Sequence, residues 1–238
     1  MKVIQLSGVG RSGKSTVATM IAAMAIDQGY IPFMIPFAKA LKEEADELGF
    51  SKEEKPDEYR SFCQKLGADR RKKDPSYWVN KARDMVEEVK IQEAERKKHA
   101  NGHAWEYLIL QDDVRYMNEI IYGREIGAYQ LFVTPYERRI KEEESKWRGH
   151  ESERIANLVE AGDRNLSDVF HEYVINDKDI DSLAKIVGAR FYAWISDPDP
   201  CGCALCEQYR AGLIPTVRFL NDSLYDELLG DLDEYETD

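Results

Sequence analysis

Short apolar runs alternate with stretches of helical period along most of the chain. Val3 to Ser7 is apolar and stops at glycines, the form of a buried parallel strand. From Lys14 the period changes: Val17, Met20, Ile21 and Met24 share a helical face, and Gly29 is placed to end that helix. Tyr30 to Pro36 predicts a second strand, Ala38 to Leu48 a helix stopped at Gly49, and Pro56 to Leu66 another helix. Asp74-Pro75 is a helix start, with Asp as cap and Pro in the first turn, and Trp78, Ala82, Met85, Val86 and Val89 give its buried face. Asn101-Gly102 breaks the chain. Tyr107 to Gln111, Tyr129 to Val133 and Tyr173 to Ile175 complete a set of five strands. Met117 to Tyr122 and Ile180 to Val187 are helical, and the charged stretch Glu137 to Arg148 reads as a solvated helix. Strands alternating with helices imply an α/β fold around a five-stranded parallel sheet with right-handed crossovers. The pattern has no internal repeat, and its one break falls after Val187-Gly188.

Composition adds limits. The chain has 238 residues, 43% of them hydrophobic, enough for one packed α/β domain with a small appendage. Its apolar runs are shorter than a bilayer span, and the first residues read as a core strand rather than a signal peptide, which places the chain in the cytosol, away from membranes. The formal charge of −12 is uneven: the segment from Phe191 to Asp238 holds 11 acids and 2 bases, leaving the body nearly balanced. That acidic end argues against a duplex nucleic-acid partner but not against one small phosphate compound.

Gly8-Val9-Gly10-Arg11-Ser12-Gly13-Lys14-Ser15 matches G-x-x-x-x-G-K-[ST] at every fixed position, between an apolar strand and an amphipathic helix. Glycines let successive backbone N–H groups turn inward toward phosphate oxygens, and the helix N-terminus aims its dipole at the same anion. Gly8, Gly10, Arg11, Ser12, Gly13, Lys14, Ser15 and Thr16 are therefore the candidate ATP-binding set. Lys14 supplies charge at the β- and γ-phosphates, and the Ser15 hydroxyl is a ligand for Mg²⁺. This motif specifies a nucleoside triphosphate without separating kinase from ATPase or GTPase.

Three further clusters bear on the class. Gln64 to Lys73 ends in four cations ahead of the Asp74 helix start; it suits a second substrate's phosphate, and a solvated basic surface is the competing reading. Leu108 to Gln111 runs into Asp112-Asp113, with Arg115 beyond; a strand-end carboxylate fits the Mg²⁺ side of such a site. Side chains two apart on extended chain point the same way, so Asp113 and Arg115 are expected to share the cleft. Thr134-Pro135 is followed by Arg138, Arg139 and Arg148, which read either as a lid over ATP or as a charged solvated helix.

In order, GVGRSGKST, FAKALK (37–42), QKLGADRRKKDPSYWV (64–79), DVRYMNE (113–119) and VIND (174–177) resemble the bacteriophage deoxynucleoside-monophosphate kinases. They are similar, more distantly, to the animal-type phosphomevalonate kinases and dephospho-coenzyme A kinases. The resemblance covers roughly residues 1–188. It implies a P-loop three-layer sandwich with an acceptor-binding insert at about 37–100 and a lid at about 135–165. It implies transfer from ATP to a deoxynucleoside monophosphate. On that pattern Lys14, Asp113, Arg115 and Arg138 are catalytic, Ser15 and Asp113 hold Mg²⁺, and Phe37, Lys39, Arg70, Arg71, Trp78 and Arg115 bind the acceptor. Residues 189–238 form an acidic extension without a counterpart in that family.

A monophosphate is largely dianionic near neutrality, with a second pKa of ~6, and needs no general base. Cations and Mg²⁺ then do the work by positioning and electrostatics. The competing functions are a kinase of another phosphate or hydroxyl acceptor, with Asp113 as base, and a P-loop binding module with little turnover. Cys201, Cys203 and Cys206 offer part of a Zn²⁺ site, but the spacing is not a paired C-x-x-C set and no histidine follows, so free thiols in a turn are favoured. A homodimer is compatible with the sequence.

Overall fold

The computed structural model describes residues 1–50, 52, 56–99, 105–135, 152, 154–162, 169–176 and 179–195. In chain order they form β1 (Lys2–Ser7), α1 (Lys14–Asp27), β2 (Tyr30–Met34), α2 (Phe37–Glu47), α3 (Pro56–Lys73) and α4 (Tyr77–His99). Then follow β3 (Glu106–Val114), α5 (Met117–Glu125), β4 (Tyr129–Pro135), α6 (Arg154–Glu160), β5 (Glu172–Asn176) and α7 (Ile180–Ile195). All strand pairs are parallel, in the order β2-β3-β1-β4-β5.

Residue parity along the strands sorts the core. Ile4, Leu6, Leu108, Leu110, Leu131, Val133 and Val174 point to one face, where Val17, Ile21, Leu183, Val187 and Phe191 of α1 and α7 cover them. Val3, Tyr107, Ile109 and Phe132 point to the other face, under α2, α4, α5 and α6. Helices on both faces make the arrangement compatible with a three-layer sandwich. Among the described residues no helix is long and apolar enough to cross a membrane.

Three polar residues interrupt the second face. Gln111, Gln5 and Gln130 lie side by side on β3, β1 and β4, each almost fully buried. Gln5 Nε2 donates to Gln111 Oε1 (2.9 Å), and Gln130 Nε2 donates to Gln5 Oε1 (3.1 Å). The same two amides reach the carbonyls of Glu119 (3.3 Å) and Ile120 (2.8 Å), which pins α5 to the sheet. Gly123 permits this approach, because a Cβ there would collide with the Gln5 and Gln130 amides.

Three elements outrun their sequence signals. α3 continues past Leu66 to Lys73, so the cations Arg70 to Lys73 form its last turn, where they complement the helix dipole. It stops before Pro75, and Asp74 accepts the Ser76 N–H at 2.9 Å to start the next helix. β3 extends through Asp112 and Asp113 to Val114. α7 runs through Gly188 to Ile195, and Phe191 is wholly buried against α1. A boundary at Gly188 would cut this helix and remove a core ring. The expected lid helix Glu137 to Arg148, with Arg138, lies outside the described residues, as do Cys201, Cys203 and Cys206.

Candidate functional site

The strand order reverses around β1, and the crevice at the carboxyl ends of β1, β3 and β4 is where open parallel sheets take ligands. The segment Gly8–Ser15 occupies that end of β1. Its backbone is unusual: Gly8 and Gly13 have φ of 147° and 90°, and Arg11, at 60°, is the one non-glycine with positive φ among the described residues. Such a conformation costs a side-chain-bearing residue about 1–3 kcal/mol and persists where the surroundings impose it. A Cβ on Gly8 would run into the Val133 carbonyl, and one on Gly13 into the Asn176 side chain, whose Nδ2 donates to the Ser12 carbonyl at 3.0 Å. The loop is thus closed against β4 and β5.

Inside it, Lys14 is buried, and its Nζ donates to the carbonyls of Gly8 (3.0 Å) and Val9 (2.7 Å). Ser12 Oγ is buried with no hydrogen-bond partner among the described residues. Ser15, exposed at the first turn of α1, donates from Oγ to Asp112 Oδ2 at 2.7 Å. Thr16 is half-buried beside it, while Gly10 and Arg11 are exposed at the loop's outer edge.

Adjacent carboxylates on β3 go to different places. Asp112 follows the parity of Leu108 and Leu110, toward α1 and Ser15. Asp113 turns to the other face, where it accepts the N–H groups of Phe37 and Ala38, both at 2.7 Å, and so caps α2. The β1–β3 register slips between Gln5 and Ser7, opposite these two residues, and Ser7 Oγ reaches across to the Val114 carbonyl at 3.0 Å. A bulge of this kind re-aims side chains at a strand end. Burial first, then the charge of Asp112, push Asp113 up to about 6, although the two amides and Arg115 pull the other way.

Beyond Asp113, Glu119 of α5 is buried, and its Oε2 accepts the N–H groups of Arg115 (2.7 Å) and Tyr116 (3.0 Å). Its other oxygen lies 3.7 Å from Arg71 Nη2. The Arg71 guanidinium stacks over the Tyr116 ring, 3.9 Å from its centroid. Burial first, then Asp113, raise Glu119 to about 7, against the Arg115 amide, Arg71 and the Tyr116 amide. Arg115 Nη1 donates to Ser152 Oγ at 3.4 Å.

The remaining expected acceptor residues divide. Arg70 is taken by Glu44, which also accepts the Tyr77 hydroxyl at 2.9 Å, so Arg70 ties α3 to α2 and α4. Trp78 is almost fully buried, with Nε1 on the Gly67 carbonyl at 3.2 Å, and the Phe37 ring packs edge-on to Tyr122. Both rings are core; Phe37 meets the site through its backbone. Lys39 is exposed on α2. Of the expected set, Lys14 and Ser15 lie in the loop after β1, Asp113 lies at the end of β3, and Arg71 and the Arg115 backbone meet at Glu119. The structure adds Asp112, Glu119 and Asn176 as their partners. Parity with Leu108 and Leu110 was the signal for Asp112, and the capping spacing from Tyr116 was the signal for Glu119.

The donors fit a nucleotide phosphate with Mg²⁺: a buried ammonium, a buried hydroxyl without a partner among the described residues, glycines at positive φ, and a hydroxyl–carboxylate pair of hard oxygens. Among the described residues no three of His, Cys, Asp and Glu gather as a metal group, and Mg²⁺ held by one or two protein oxygens plus phosphates needs none. No family model matches the chain and no curated protein sequence matches it, so its chemistry has to be read from these side chains.

Proposed function

We propose that this protein is a P-loop enzyme of the nucleoside-monophosphate-kinase type, transferring the terminal phosphoryl group of ATP to a (deoxy)nucleoside monophosphate. The observation that carries the reading is the Ser15–Asp112 contact beside a glycine loop whose Lys14 is already turned inward onto the Gly8 and Val9 carbonyls. Lys14 and the loop amides would hold the β- and γ-phosphates, and Ser15 and Asp112 would hold Mg²⁺. When bound, Mg²⁺ neutralises charge that develops on the phosphate oxygens.

In the transfer an acceptor phosphate oxygen forms a bond to the γ-phosphorus. The bond from that phosphorus to the β–γ bridging oxygen breaks, and its electron pair leaves with ADP. No proton has to move, because the acceptor attacks as a dianion. The chain's part is to bring two anions together: Lys14 from the loop, and Arg71 and Arg115 from the opposite wall. A hydroxyl acceptor would need a base, and Asp113, the carboxylate expected for that role, has both oxygens engaged by the amides of Phe37 and Ala38. A phosphate acceptor needs no base, which leaves Asp113 its capping role.

The test is a panel of nucleoside monophosphates, other small phosphates and alcohols, each assayed with ATP and Mg²⁺ for ADP release. ADP release well above the rate without acceptor, for at least one nucleoside monophosphate, is expected. A panel in which no acceptor exceeds hydrolysis would sink the kinase reading and leave a binding module in its place.

A further inference from the structure

Buried carboxylates are costly unless their charge is used. Capping the Arg115–Tyr116 turn requires only an acceptor oxygen, which a glutamine also provides. Glu119 therefore has more charge than the turn demands. That charge faces Arg71, which comes from α3, a helix with no backbone link to the strand end. The groups around Glu119 are Asp113 from β3, Arg115 and Tyr116 from the turn, and Arg71 from α3. Asp113 opposes the Glu119 charge, and Arg71 and the two turn amides favour it.

The neighbouring arginine shows what this arrangement adds. Arg70 places Nε and Nη2 on Glu44, so its fork is committed to holding three helices together. Arg71 meets its carboxylate through Nη2, at 3.7 Å, and its guanidinium carbon lies over the Tyr116 ring. Its side chain stays 25% exposed. The backbone of Glu119 is itself fixed, since its carbonyl accepts Gln5 Nε2 from the centre of the sheet.

We propose that Glu119 is the positioning residue of the acceptor-phosphate site: one buried carboxylate fixes both the turn that carries Arg115 and the guanidinium of Arg71, so that the two cations meet the acceptor phosphate together. This rests on the kinase reading above. Glu119 does not touch the substrate; it acts through the two arginines.

The experiment is Glu119→Gln, which keeps an oxygen for the turn and removes the charge, with acceptor and ATP titrated separately. The acceptor KM is expected to rise about tenfold, as for losing a charge-assisted contact, with the ATP KM within about twofold. In an Arg71→Met background the same change should have little further effect on the acceptor KM. Comparison of the two proteins across pH removes the acceptor's own ionisation. Their kcat/KM ratio should approach one below about pH 6 and open above pH 7, as Glu119 ionises in the wild type. If Glu119→Gln does not fold, Arg71→Lys, which keeps the charge and loses the planar fork, should give an intermediate acceptor defect. Unchanged or tighter acceptor binding, or equal losses for both substrates, would overturn the positioning role while the kinase reading stands. A wild-type protein that turns over no phosphate acceptor removes the kinase reading first, and the proposal with it.

Discussion

The loop at Gly8–Ser15 takes its form from consecutive residues, whereas Arg71, Glu119 and Arg115 are brought together from α3, α5 and the turn between β3 and α5. On the first side the groups proposed to face phosphate are mostly backbone amides and one lysine, shaped by glycines and the start of α1. On the second they are two arginine side chains, Arg71 beside the buried Glu119 and Arg115 on Ser152. The first kind of site is shaped mainly by local conformation, with Val133 and Asn176 closing the loop from β4 and β5. The second depends on three elements packing correctly, so its affinity is tied to the stability of the fold around it.

The largest effect is expected at the loop. Lys14→Ala should lower phosphoryl transfer by at least about a hundredfold, the scale for losing one preorganised charge at a developing anion. The circular dichroism spectrum should stay unchanged. Near wild-type turnover would mean that the loop is not the donor site.

A somewhat smaller effect separates the two neighbouring aspartates. Asp112→Asn should lower kcat by about ten- to a hundredfold and raise the Mg²⁺ concentration for half-maximal rate, with little change in Tm. Asp113→Asn should instead lower stability by about 1–3 kcal/mol, because an amide puts an NH₂ against the Phe37 or Ala38 N–H. Mg²⁺ titrations and thermal melts on both variants decide it. If the Mg²⁺ dependence follows Asp113, the roles are the reverse of those assigned here.

On the dispersed side, Arg115→Ala should cost about ten- to a hundredfold in kcat/KM for the acceptor with ATP binding nearly unchanged, since a hydrogen bond to a charged group is worth about 1.5–3 kcal/mol. A loss confined to ATP would move Arg115 to the donor side. The smallest effect is in stability against pH. Asp113 and Glu119 are both raised in the folded state, so their contribution is full below the unfolded carboxylate value and fades as pH rises toward about 7. Between pH 5 and pH 8 the wild-type Tm should therefore fall more than that of Glu119→Gln. Parallel Tm curves would show that Glu119 titrates normally.

The local side was legible because glycine spacing, a strand before it and a helix after it sit within a few residues of one another. The alternation of strands and helices was legible for the same reason. The dispersed side was only partly so. The spacing from Asp113 to Arg115 drew attention to Asp113, yet the bulge opposite Ser7 and the parity of Leu108 and Leu110 give Ser15 to Asp112. Trp78 and Phe37 stand in the right segments, but their rings fill the core. Arg70 and Arg71 are adjacent in the chain, and only packing tells which one faces Glu44 and which one Glu119. The strand–helix alternation, the family resemblance and the charge balance all end near Gly188, whereas α7 runs on to Ile195 with Phe191 on its buried face.

The glutamines on β1, β3 and β4 bear on how this sequence can change over time. Replacing Gln5 alone with an apolar residue takes its donor from Gln111 Oε1, at about 1–3 kcal/mol, and removes the tie to the Glu119 carbonyl, while Gln130 keeps only its bond to the Ile120 carbonyl. A leucine at all three positions would satisfy the sheet but would detach α5, and it would still face the closely packed Gly123. Positions 5, 111, 123 and 130 should therefore be inherited as a set. In a library randomised at all four, folded survivors should keep the whole quartet or replace it together, and single departures should be rare.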